Sequence, residues 1–165
     1  MGEVLLFDDG RSYFSANPPE PLRYLLNSAL TSPAPEHTET LLLKARERWP
    51  DEADAHIALY KFYFVSARYL EAEATAWGAL KKAAQLAGFS HQYRTLTAMS
   101  ADWLQRNGPE RLYLFSMKAL GVIRLRRGKV SAARRMLEKL LELDPTDEIG
   151  GGAFLQIARS FTEDD

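Results

Sequence analysis

Leu114 to Pro145 reads LFSMKALGVIRLRRGKVSAARRMLEKLLELDP, and the fold follows from where its small residues fall. Apolar side chains recur every three or four positions on both sides of Gly128, the spacing of a buried helix face rather than of an alternating strand. Gly128 ends a first helix, Ser131 is placed to cap a second, and Asp144 with Pro145 stops that helix near Leu143. Gly121 and Ala133 are small where two antiparallel helices must cross closely. A larger side chain at either place overpacks such a crossing by about 1 to 3 kcal/mol. Leu120 and Leu137 fill the remaining volume.

The same phase returns upstream. From Ala53 to Leu86, the residues Leu59, Tyr63, Tyr69, Ala72 and Ala79 occupy the matching places, and Pro50 closes a preceding unit from Pro19 to Glu52 with Leu22, Leu25, Leu42 and Ala45 in register. The repeat is about thirty-four residues long, which resembles the tetratricopeptide (TPR) family of paired antiparallel helices. The expected units are 19–52, 53–86 and 114–147. Thr38 and Ala29 stand where the family prefers Ala and an aromatic, Arg124 replaces a packing aromatic, and Leu140 replaces a small residue. Arg124 is read as a snorkelling side chain, stem buried and head wet.

The remaining segments complete an all-α reading of about eight helices in an alpha-alpha superhelix. Expected helices run from Pro21 to Leu30, Glu36 to Arg48, Asp51 or Glu52 to about Ala67, and about Leu70 to Ala87, with Pro33, Pro50 and Gly88 as breakers. Residues 90–107, with Ser90 as cap and Tyr93, Leu96, Ser100, Trp103 and Leu104 on one face, read as one inserted helix outside the repeat. An added antiparallel helix reverses the chain and interrupts the solenoid. A capping helix is expected at 148–161, entered through Gly150, Gly151 and Gly152, which read as a close contact or hinge. Residues 1–18 form an arm, with Val4 to Phe7 and Tyr13 to Phe14 flanking the turn signal Asp8, Asp9, Gly10 as a small hairpin, and Asn17, Pro18, Pro19 as a stiff connector to the helical domain at 19–165. A lone hairpin is marginal in water, so the arm must lie on something: the first helix, or a second copy in a homodimer.

The chemistry of the chain argues against catalysis. Its 165 residues carry a net charge of -1 and no Cys, so there is no disulfide, thiolate ligand or cysteine nucleophile, and no overall pull towards polyanions. His37, His56 and His91 stand at no metal spacing, GxSxG is missing, and the acidic pairs read as turn, surface and tail charges. The start Met1, Gly2, Glu3 lacks a cationic lead, and no apolar run reaches membrane-spanning length, which points to the cytoplasm. No enzyme activity, cofactor, metal or membrane partner is expected.

The resemblance to the TPR family implies a protein-protein interaction scaffold, an adaptor or chaperone-like protein that holds a partner peptide or helix in a concave groove. Carried over residue by residue, that groove comprises Arg23 and Asn27 in the first unit, Ile57, Lys61, Phe64 and Arg68 in the second, and Lys118, Val122 and Arg126 in the third. Asp54 and Val65 lie on the same stripe as the second set. These spacings of three and four put each set on one helix face. Two other functions are compatible with the residues: nucleic-acid binding through the basic segment 111–139, and a cryptic hydrolase assembled from distant acids.

Overall fold

The computed structural model describes residues 13–15, 17–105 and 107–162, and every regular element among them is helical. Seven α-helices follow in order: α1 (Glu20–Thr31), α2 (Pro35–Arg48), α3 (Ala53–Val65), α4 (Tyr69–Ala87), α5 (Pro109–Arg126), α6 (Val130–Leu143) and α7 (Gly152–Thr162). No helix among the described residues is long and apolar enough to cross a membrane.

Prolines and glycines divide the chain. Pro21 and Pro35 sit in the first turns of α1 and α2, where their missing N–H groups cost nothing. Ser32 is extended before Pro33, as the proline ring requires. Gly88 closes α4 in the left-handed region at φ +86°, its N–H donating to the Ala84 carbonyl. Ala67 and Gly128 occupy the same offset in their units and turn the chain alike: both have positive φ, 59° and 76°, and the following N–H reaches back to the Tyr63 or Arg124 carbonyl at 2.8 Å. Ser131 does not cap α6; Lys129 holds that position, with no side-chain bond to the helix.

Each helix packs on the next in the chain, and α1 touches α3, α3 touches α5, and α5 touches α7. One core runs through the whole stack. Ala72, Ala76, Ala79 and Ala83 are fully buried along α4, which lies between α3 and α5. Gly121 of α5 faces α6 so closely that a Cβ there would stand 2.6 Å from Leu137 Cδ2. Gly151 does the same for Leu140, at 2.6 Å, so the bulk of Leu140 in α6 is received by a glycine before α7. That accounts for part of the glycine triplet.

The inserted helix expected at 90–107 is not formed. Among its described residues only Tyr93–Thr95 is helical, as a single 3₁₀ turn. Ser90, expected to cap that helix, and Ser100, expected on its face, bond to nearby backbone instead, as does Thr97: Ser90 Oγ accepts from the Gln92 N–H at 2.9 Å, Ser100 Oγ from the Thr97 N–H at 2.8 Å, and Thr97 Oγ1 from the Met99 N–H at 3.2 Å. Such local bonds offer the backbone an alternative to the helical ladder. Tyr93, Leu96 and Trp103 still go inward, whereas Leu104 is 70% exposed. Phe89, Trp103 and Tyr113 stack with centroids 5.0 to 5.9 Å apart, and the Trp103 indole N–H donates to the Thr97 carbonyl at 2.9 Å. With no helix inserted, α5 packs directly on α4 and the expected reversal does not arise.

Candidate functional site

The site begins with the arm. The proposed hairpin strand Val4 to Phe7 and its turn lie outside the described residues, but Tyr13 to Ser15 are described, and they cross the face built by α1, α3 and α5. Asp54, in the first turn of α3 where the helix dipole favours a carboxylate, receives two consecutive backbone N–H groups: Phe14 donates to Oδ1 and Ser15 to Oδ2, the latter at 2.9 Å. Asp54 is 5% exposed; its bond to Phe14 is buried and its bond to Ser15 partly so. The Phe14 ring is buried and meets Phe115 of α5 edge to face at 5.4 Å. On the α1 side the Tyr13 hydroxyl donates to Asn27 Oδ1 at 2.7 Å, and the Arg23 guanidinium reaches Asn17 Oδ1 at 3.3 Å and the Pro18 carbonyl at 3.4 Å.

Beside this segment lies a cavity of about 340 Å³. Tyr13 and Phe14 form one wall, Leu26 and Leu30 of α1 and Thr38 and Leu42 of α2 another, and Asp54, Ile57, Ala58, Lys61, Phe62 and Val65 of α3 the third. Leu30 and Val65 are 75% and 53% exposed, leaving apolar surface open to solvent.

The groove residues expected from the sequence divide accordingly. Arg23 and Asn27 hold the arm, and Ile57 and Lys61 line the cavity. Phe64 is buried and packs on Tyr69 at 5.6 Å, with the Arg126 guanidinium over its ring at 5.6 Å from the centroid. Val122 is buried in α5 and presents no open surface. Lys118 is a correction too: it is only 6% exposed, and its Nζ donates to the Ile149 carbonyl at 3.1 Å, fastening the loop before α7. Arg68 serves structure. It bridges Glu39 of α2 at 2.7 Å and Glu71 of α4 at 2.9 Å, and these bonds hold both carboxyls below the usual range. The neighbouring Tyr63 hydroxyl, which donates to Glu39 at 2.7 Å, is pushed up to about 12 by burial and by that carboxylate.

Sequence reasoning placed Asp54 on the groove stripe without seeing that it grips the arm, and it missed Phe14, Leu26, Leu42 and Phe62. The available signal was the short apolar arm ahead of Pro18 and Pro19, which had to rest on something. Arg124, read as snorkelling, is instead 3.7 Å from Glu73 and stacked over Trp77 at 5.3 Å.

His56, on α3 behind the site, gives the fold a pH dependence. Its Nε2–H donates to the Pro50 carbonyl at 2.6 Å, which leaves Nδ1 buried without a partner. Burial, with Arg46 and Lys82 nearby, lowers its pKa below the ordinary 6.5 despite the Pro50 bond and Asp51. The unfolded chain then binds a proton that the folded chain refuses, so stability present above pH 6.5 declines as pH falls below it. The expected result is a lower melting temperature at pH 5.5 than at pH 7.5 in wild type, with a smaller drop in His56→Gln, read by circular dichroism at constant salt. Glu52 and Asp144, both held above the usual carboxylate range chiefly by burial, act in the opposite sense, their contribution being lost as pH rises above the ordinary 4.5 and 3.8.

Comparison with protein-family models, with curated proteins and with solved structures finds no match for the chain.

Proposed function

We propose that the protein is a TPR-like, nonenzymatic scaffold of the cytoplasm, an adaptor or chaperone-like protein that holds an extended polypeptide on the face formed by α1, α3 and α5. The observation that carries this reading is the segment Tyr13 to Ser15, already seated there, with its backbone bound by Asp54 and an aromatic side chain among apolar walls. The open apolar rim at Leu30 and Val65 supports it, because exposed apolar surface beside a preformed cavity is typical of binding sites. The stacking of α1, α3, α5 and α7 also fits paired helices lining a trough.

The basic segment 111–139 fits a polyanion less well. Lys118 is buried against Ile149, Arg127 is paired with Glu73 at 2.7 Å, and Lys139 donates to the Leu96 carbonyl at 2.8 Å. These cations point to different neighbours rather than to one surface.

The test is affinity capture from the protein's own cell extract with wild type and with Leu30→Glu plus Val65→Glu. Both residues are exposed, so helical content is expected to stay unchanged while capture of the partner is lost. Equal capture by both proteins rejects the groove.

A further inference from the structure

The arm does more than rest on the groove. We infer that Tyr13 to Ser15 are an in-chain stand-in for the partner, and that the groove recognises an extended peptide carrying an aromatic side chain and two consecutive free backbone N–H groups. This inference rests on the groove reading above.

Three observations define the ligand class. Asp54 is an acceptor aimed at main chain, and successive N–H groups are presented to both of its oxygens by the Phe14 and Ser15 backbone. Recognition at that point is of backbone, so most residue types are admitted there, and proline, which has no N–H, is excluded. The aromatic site is a pocket with its own edge-to-face partner, Phe115. The cavity next to Tyr13 and Phe14 is lined mainly by apolar side chains and is large enough for a further side chain of a longer ligand.

The arm and a partner therefore compete. Asp54 cannot bind both backbones, and the Phe14 ring occupies the aromatic site. The apparent affinity for a partner falls by the fraction of molecules in which the arm is in place. Arg23 and Asn27, which hold Tyr13, Asn17 and Pro18, set that fraction without touching the two N–H groups.

The probe is a labelled, end-blocked peptide of this chain's residues 11–17, RSYFSAN, titrated by fluorescence anisotropy against the full chain. Phe14→Ala is expected to bind it about tenfold more tightly than wild type, because the site is vacated. Replacing the peptide's phenylalanine by alanine, N-methylating its second serine, or adding Asp54→Ala to the protein is expected to cost about tenfold or more. A second arm needs no variant: excess peptide is expected to speed amide exchange at Phe14 and Ser15 of wild type, read by NMR. Equal affinity of wild type and Phe14→Ala, indifference to N-methylation, or unchanged exchange overturns the inference. A wild-type dimer by light scattering that becomes monomeric in Phe14→Ala also overturns it, by assigning the groove to a second copy's arm. If these arms fail while Leu30→Glu plus Val65→Glu still loses capture, the groove reading stands and only the stand-in reading falls.

Discussion

Replacing Gly121 by valine is expected to lower unfolding stability by about 3 kcal/mol, the upper end of the cost of overpacking a filled core. The first added carbon already stands 2.6 Å from Leu137 Cδ2 and 2.7 Å from its Cγ. Contact is thus with the branch of Leu137 as well as its tip, and Leu137 is fully buried with nowhere to turn. Alanine at the same place is expected to cost less, because removing a helical glycine returns up to about 1 kcal/mol. The decisive comparison is Gly121→Val in a Leu137→Ala background. Leu137→Ala alone leaves a cavity worth about 2 to 5 kcal/mol, and the double variant is expected to lose less than the two singles together, since one change fills what the other empties. Urea titrations of all four proteins measure this; strict additivity would place the two helices further apart than described.

The second large effect concerns Glu73. Its carboxylate takes Arg127 at 2.7 Å and Arg124 at 3.7 Å, and the three side chains are 18%, 27% and 13% exposed. An exposed ion pair contributes about 0 to 1 kcal/mol, and breaking a fully buried one costs about 3 to 5 kcal/mol. Glu73→Gln, which leaves two half-buried guanidinium groups facing each other, is therefore expected to cost about 2 kcal/mol. Arg127→Gln in that background is expected to recover part of the loss, because the like-charge contact is removed. Melting temperatures at low and high salt separate the causes: the Glu73→Gln deficit should shrink as added salt screens the two cations. A deficit that ignores salt would assign the cost to packing against Trp77, over which Arg124 lies.

Helices announced themselves in the sequence wherever the signal was local. Pro33, Pro50, Gly88 and Gly128 are breakers whatever surrounds them, so the ends of α1 to α6 were legible to within a few residues, and Gly121 marked a close crossing before any partner was known. The segment 90–107 was misread for the same reason. Its Tyr93, Leu96 and Trp103 keep helical spacing, yet their burial is met by a loop whose Ser and Thr hydroxyls bind backbone N–H groups nearby. Apolar periodicity reports which residues go inward and is silent about competing side-chain bonds.

The site was legible only as a stripe. Ile57 and Lys61 could be placed on one face of α3 by spacing alone, but whether a face is trough or core depends on the next helix, and for Phe64, Val122 and Lys118 that neighbour closed over them. The partners of a long polar side chain are likewise a matter of tertiary distance: Arg68 stood on the same stripe and found Glu39, twenty-nine residues earlier, on α2. The amino-acid order alone determined that the regular elements of the described residues are helices with small residues at their crossings, because backbone conformation and hydrophobic period act over a few residues. Which face stayed open, and that Asp54 would hold the backbone of Phe14 and Ser15 some forty residues away, was decided by the packing of α1, α3 and α5, since only the assembled helices bring those groups within bonding distance.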